Sequence, residues 1–132
     1  MRRGVIFGRE VAMQGSVWAM AEYRREFHAD LLADAAAAYG EGRADVCAML
    51  QIAWAMARAA DGSTSPYTEW LREFDPRLFA LGDAAGAVGV IDSAISAELF
   101  RVGAAGRARR WLAGRVGSLA QRLGARADGL LP

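Results

Sequence analysis

The sequence contains very few of the residues that form cross-links or bind transition metals. One cysteine, Cys47, and one histidine, His28, occur among its 132 residues. A disulfide needs two cysteines and a structural zinc site needs several Cys or His ligands, so a single chain can form neither. A carboxylate metal site needs clustered Asp and Glu residues, and no such spacing is present. Because Cys47 has apolar neighbours, we expect it to be a small buried thiol.

Long apolar segments are absent as well. The longest run without a charged residue covers residues 46–57, which is twelve residues. A helix that spans the hydrocarbon of a bilayer needs about 20 apolar residues. Near the N-terminus, Arg9 and Glu10 interrupt the apolar residues before they reach the length of a secretory signal. We therefore expect no membrane span and a cytoplasmic location.

Lysine is missing, so all 16 basic residues are arginine. Their distribution is uneven: residues 1–100 carry nine arginines and fourteen acids, whereas residues 101–132 carry seven arginines and one acid. The chain thus has an acidic body and a basic end. Its 54% hydrophobic content is enough for one substantial core. We predict a helical domain at residues 1–102 and a basic C-terminal helix or tail at residues 103–132.

The spacing of hydrophobic residues predicts a mainly α-helical fold, a small bundle of about five helices with a short N-terminal β-hairpin. Residues 5–13 contain β-branched and aromatic residues on both sides of Gly8, which is typical of two short strands around a turn. Ser16 is the expected N-cap of the first helix. This helix is predicted to break near His28 and to resume as far as Tyr39.

Residues 46–57 are apolar on nearly every face, a pattern that indicates a central buried helix. The next helix is short, with Ser65 as its expected N-cap and Pro66 at its first helical position. A last amphipathic helix is predicted from apolar residues at helical spacing, namely Val88, Ile91, Ile95, Leu99 and Val102.

The aromatic residues are concentrated in the middle of the chain. A ligand pocket and a packed core are both possible uses for them, and their helical spacing favours a core. The residues concerned are Trp54, Tyr67, Trp70 and Phe74.

The C-terminal segment carries a row of leucines and a row of arginines. Each row repeats at i, i+7 and i+11, and on a helix the two rows lie about 60° apart. We predict that they form a surface that binds a partner with apolar and acidic groups, although a frayed tail with scattered charge is an equal alternative. The predicted partner-binding residues are Leu112, Arg115, Leu119, Arg122, Leu123 and Arg126.

No catalytic constellation is evident. His28 has no Ser or Cys in a recognisable nucleophile context. Asp30 and Asp34 are four residues apart on one helix, and with arginines nearby they indicate a solvated face rather than a pair of acids for catalysis. Glycines are frequent, but none forms a phosphate-binding loop followed by Lys and Ser or Thr. We therefore predict a protein that is not an enzyme and that needs no cofactor or metal.

Two stretches of sequence resemble a known family. The run Trp-Ala-Met-Ala-Arg at 54–58, a short loop, and Pro-Tyr-x-Glu-Trp-Leu-x-x-Phe-Asp at 66–75 resemble the signature of tail assembly chaperones of long-tailed bacteriophages and prophages. These are encoded beside the tape measure protein. The start of the chain is similar to that family too, through Phe-Gly-Arg-Glu-Val at 7–11 and Tyr-Arg-Arg-Glu-Phe at 23–27. The resemblance covers roughly residues 5–75 and includes no active site.

This resemblance implies a non-enzymatic role in the bacterial host cytoplasm. Members of the family keep the long helical tape measure protein soluble while the tail tube assembles around it. The implied partner is the tape measure protein, with the tail tube protein as a second candidate and a homo-oligomer as an open alternative. The chain departs from the family pattern at His28, where glycine is usual, and after residue 100, where no counterpart is found.

Two other functions remain open. An arginine-rich end on a small helical body is also typical of a nucleic-acid-binding protein, because phosphate neutralisation needs only clustered cations. The acidic body and the lack of helix-turn-helix spacing make this the second choice, and a salt-dependent mobility shift of duplex DNA would favour it. Binding of the same segment to a membrane surface is a third and weaker option.

Overall fold

A computed structural model describes residues 1–40 and 45–100 of the chain. Within these residues a two-stranded antiparallel hairpin precedes five α-helices, and the predicted mainly helical fold is confirmed. The last helix continues into a five-residue π-helical turn, Ile95–Leu99. The elements are β1 Arg2–Ile6, β2 Arg9–Met13, α1 Val17–Phe27, α2 Leu31–Gly40, α3 Val46–Ala60, α4 Tyr67–Arg72 and α5 Leu81–Ala94.

The hairpin lies on the helices and contributes side chains to the core. A two-residue turn joins β1 to β2, and both Phe7 and Gly8 have positive φ, at 47° and 78°. Turns of this kind match the right-handed twist of the paired strands. Strand β1 packs on α5 and strand β2 packs on α3. A hairpin alone is marginally stable, so this burial on two helices is what keeps it folded.

Helix α1 begins and ends at the predicted places, and α2 follows the predicted break but extends one residue further than predicted, to Gly40. The Ser16 hydroxyl accepts a hydrogen bond from the Ala19 amide at 3.3 Å and so caps α1. The helix ends at His28, which adopts the left-handed conformation with φ of 54°. Glycine is the residue that most easily adopts this geometry, and here histidine adopts it instead. The Asp30 carboxylate then accepts hydrogen bonds from the amides of Leu32 and Ala33 and caps α2.

Helix α3 is the centre of the fold, as its apolar sequence predicted. It packs against β2 and all four other helices, and most of its side chains from Met49 to Ala57 are buried. The prediction that Cys47 is buried is wrong, because its side chain is exposed. Cys47 lies in the first turn of α3, where the Asp45 carboxylate caps the helix and none of the described elements covers that face. Burial along α3 begins two residues later, at Met49.

Helix α4 begins one residue later than predicted. Pro66 is the cap residue rather than the first helical residue, and its carbonyl accepts a hydrogen bond from the Trp70 amide at 2.8 Å. The Ser65 hydroxyl does not cap the helix because it donates to the Glu73 carboxylate at 2.5 Å. The Ser65 carbonyl in turn accepts from Trp54 Nε1, so this residue ties the loop to α3 and α4.

The aromatic residues form part of the core, as predicted. Trp54 and Trp70 are both buried. Neighbouring rings lie 4.8–6.4 Å apart between centroids, mostly in edge-to-face geometry, which is favourable for aromatic pairs. This chain of contacts joins α1, α3 and α4 through Phe27, Trp54, Tyr67, Trp70 and Phe74.

Substitution by alanine is expected to change the free energy of unfolding in opposite directions at two glycines with different surroundings. A Cβ atom at Gly15 would overlap the Glu98 backbone carbonyl, whereas a Cβ at Gly86 in α5 meets open space. We expect Gly15→Ala to lower the free energy of unfolding by about 1–3 kcal/mol through overpacking. Gly86→Ala should raise it by about 0.5–1 kcal/mol, since alanine is the better helix former. Urea denaturation of both variants checks this, and the same sign for both would contradict it.

Candidate functional site

The described residues form an open apolar groove of about 710 Å³. It lies between the first turns of α3, the end of α4, and the loop that leads into α5. The lining residues are Phe7, Val46, Cys47, Leu50, Leu71, Arg72, Phe74, Asp75, Pro76, Leu78, Phe79 and Ala84.

The loop from α4 to α5 shapes one wall of this groove. Pro76 cannot continue a helix, and the Leu78 amide donates to the Asp75 carbonyl at 3.0 Å, which turns the chain. Leu78 then packs against Gly8 in the hairpin turn, where its side chain occupies the space that a Cβ atom at Gly8 would need. The residues that follow stay outside the core: Phe79 is 82% exposed and Leu81 is 88% exposed. An aromatic and a leucine are thus held in solvent beside an apolar groove.

The floor of the groove packs against the core. Phe7 from the hairpin turn packs edge-to-face on Phe74 at 6.0 Å between ring centroids. The Arg9 guanidinium lies over the same Phe74 ring at 5.9 Å. The two lining residues with charge are Arg72 and Asp75, and Asp75 is paired with Arg77 at 3.0 Å. A surface of this kind can bind apolar side chains of another polypeptide segment, with charge contacts only at its edge.

The leucine and arginine rows at 112–126 lie outside the described residues, so their predicted role is untested by the structure. The groove itself was not predicted from the sequence. One signal was present: Leu78 and Phe79 are apolar in a connection where polar residues are the rule.

A second concave region, of about 480 Å³, lies between the hairpin and the loop after α3 and is polar. Four of its charged side chains form two ion pairs: Arg3 pairs with Glu10 at 3.3 Å, and Arg9 pairs with Glu73 at 2.6 Å. The hydrogen bonds from Ser65 and then Arg9 lower the pKa of the Glu73 carboxyl. Because these groups already have partners, this cleft is the weaker candidate for binding.

The described residues contain no group of three or more His, Cys, Asp or Glu side chains that could hold a metal ion. His28 lies exposed at the end of α1. Asp30 caps α2, while Asp34 accepts a hydrogen bond from the Tyr23 hydroxyl at 2.7 Å. Each of these carboxylates therefore has a local structural partner. Among the same residues, every helix is too short or too polar to cross a bilayer.

The buried Tyr23 hydroxyl predicts how stability changes at high pH. Burial, and then the hydrogen bond to Asp34, raise the pKa of Tyr23 above its usual 10. The unfolded chain therefore loses this proton first, so the free energy of unfolding should fall as the pH rises above about 10. Tyr23→Phe should make that decline less steep, with the remainder due to Tyr67, whose pKa is also raised by burial. Urea titrations at pH 9 and 11 measure how far the free energy of unfolding falls between these two pH values. An equal fall in the parent protein and in Tyr23→Phe would refute the prediction.

No protein-family model, curated protein or solved structure matches the chain. The geometry of the groove and the sequence pattern are therefore the basis on which a function is proposed.

Proposed function

We propose that this protein is a tail assembly chaperone of a long-tailed bacteriophage or prophage. It binds the tape measure protein in the host cytoplasm and keeps it soluble while the tail tube assembles. The observation that carries this proposal is the apolar groove, with the exposed Phe79 and Leu81 beside it. Exposed apolar patches of this kind mark sites of interaction in soluble proteins.

The groove suits a helical partner. A tape measure protein exposes long apolar stripes on its helices, and a helix places such a stripe into a groove through side chains at i, i+3, i+4 and i+7. Leu50 and Leu71 offer aliphatic contacts along the groove, and Phe79 offers an aromatic anchor at its edge. Aromatic anchors are among the residues that contribute most to such interfaces.

The residues that carry the family resemblance have two roles that support the proposal. Trp54 and Trp70 are buried and hold α3 against α4. Leu71, Phe74 and Asp75, from the second stretch of the motif, line the groove. The motif thus contributes both the scaffold and part of the candidate binding surface.

A charge placed at the groove is expected to weaken partner binding strongly. Phe79 is already in solvent, so Phe79→Asp should leave the fold stable while it removes the anchor and opposes apolar contacts. We expect the affinity for a tape measure helix fragment to fall at least about 30-fold, which corresponds to loss of about 2 kcal/mol at a hot spot. The soluble fraction of tape measure protein on co-expression should fall with it.

Val17→Asp is the matched control, because Val17 is also an exposed apolar residue but lies at the start of α1. It should leave both the affinity and the soluble fraction unchanged. Equal behaviour of the two variants would reject the groove as the binding site. If no neighbouring gene encodes a very long helical protein, this would weigh against the chaperone function as a whole.

A further inference from the structure

The groove has a candidate occupant within the same chain. Within residues 1–40 and 45–100 nothing covers Phe79 at its edge, and another 32 residues follow Phe100. We propose that, when no partner is bound, the groove is the docking site of the chain's own C-terminal segment. The leucine row Leu112, Leu119 and Leu123 enters the groove, and the arginine row faces the acidic body.

The length of the chain allows this placement. The described residues end at Phe100, directly after the π-helical turn, whereas the groove lies near the start of α5, at Ala84. The helical path between Ala84 and Phe100 is about 25 Å long at 1.5 Å per residue. Residues 101–111 can span up to about 36 Å when extended. Leu112 therefore reaches the groove without any change in the body.

The chemistry of the two surfaces is complementary. The groove is lined by aliphatic and aromatic residues such as Leu50, Leu71 and Phe79, which match the leucine row. The body as a whole carries fourteen acids against nine arginines, while residues 101–132 carry seven arginines and one acid. The groove itself is lined by one charged residue of each sign, Arg72 and Asp75, so the complementary charge is that of the body as a whole. Opposite charges of this kind favour docking and set its orientation.

The covalent tether favours this segment over a second copy of the chain. A segment joined by a short linker has an effective concentration in the millimolar range, about a thousandfold above that of free copies at micromolar protein. Weak leucine contacts then suffice to cover the groove. Any outside partner must displace the segment, which reduces the apparent affinity of that partner. The groove is then available mainly to the ligand that binds it most tightly. This holds whether or not that ligand is a tape measure protein.

The single cysteine provides a direct test in the full-length chain. Cys47 lines the groove and is exposed, so a short photoactivatable maleimide reagent attached there reports what lies nearby. Irradiation of a mixture of isotope-labelled and unlabelled protein, followed by tryptic peptide mapping, separates links within one chain from links between chains. We expect links within one chain to peptides from residues 111–126. Links between chains would assign the groove to a second copy and overturn the proposal, as would products confined to residues 1–100.

A pair of leucine variants gives a second readout that needs no cross-linker. Leu119→Asp disrupts the leucine row, whereas Leu130→Asp adds the same charge outside it. If the segment covers the groove about nine-tenths of the time, Leu119→Asp should speed alkylation of Cys47 about tenfold and Leu130→Asp should not. Alkylation of urea-unfolded protein provides the reference rate. Equal rates for the parent chain and both variants would overturn the proposal.

Discussion

Replacement of Trp70 by alanine is expected to remove a large part of the protein's stability. Trp70 is 2% exposed and packs between Phe74, at 4.8 Å between ring centroids, and Tyr67, at 6.4 Å. Truncation of a buried tryptophan removes its apolar contacts and leaves a cavity, which costs about 3–5 kcal/mol. Domains of this size have only about 5–15 kcal/mol of total stability. Urea denaturation followed by circular dichroism measures the loss.

Trp18→Ala is the matched control for this prediction. Trp18 lies on the outer face of α1 and is 60% exposed, so its truncation leaves no cavity. We expect its effect to stay within about 0.5 kcal/mol, as for most surface substitutions. If both tryptophan variants lost the same stability, the aromatic cluster would not be the core that the packing indicates.

Replacement of Arg58 by methionine is expected to give a smaller but still substantial loss of stability. The Glu22 carboxylate is almost fully buried and accepts hydrogen bonds from Arg58 at 3.1 Å and from Arg25 at 2.5 Å. Arg58 also donates to the Thr64 carbonyl and lies over the Trp54 ring. Removing one partner of a buried ion pair leaves a charge that is poorly compensated, at a cost of about 3–5 kcal/mol. Since Arg25 remains in contact with Glu22, we expect about 2–3 kcal/mol, measured by urea denaturation.

Arg25→Met provides the comparison, because Arg25 contacts the same carboxylate from solvent. Its side chain is 67% exposed, against 25% for Arg58, so water can replace most of what it contributes. Exposed pairs of this kind contribute about 1 kcal/mol or less. A double-mutant cycle with Glu22→Gln isolates the coupling of each arginine to the carboxylate. A larger coupling for Arg25 than for Arg58 would contradict the assignment of Arg58 as the inner partner.

The sequence predicted those parts of the fold that depend on near neighbours along the chain. The Ser16 cap, the turn at Gly8 and the break at His28 involve contacts within about one turn of helix or one hairpin. The burial of α3 also followed from its sequence, because a helix that is apolar on nearly every face has little surface suited to water. The aromatic residues were assigned to the core for the same reason, since their helical spacing is a local property.

The candidate site was much harder to predict. Cys47 has apolar neighbours in sequence but is exposed, since its burial depends on whether another element covers the first turn of α3. Phe79 lines a groove because Leu78 packs against the hairpin turn, and this contact fixes the course of the loop. Similarly, Glu22 is buried because Arg58, 36 residues further along the chain, lies against it.

The sequence alone determined the class of the fold, the order of its elements and the uneven distribution of charge, because periodicity and composition can be read from adjacent residues. Only the tertiary structure decided where an apolar surface stays open and which carboxylate is shielded from water. These properties arise from contacts between elements far apart in sequence, such as Gly15 with Glu98 and Gly8 with Leu78. Local patterns specify which face of a helix is apolar, but the packing of distant segments specifies how much of that face is covered.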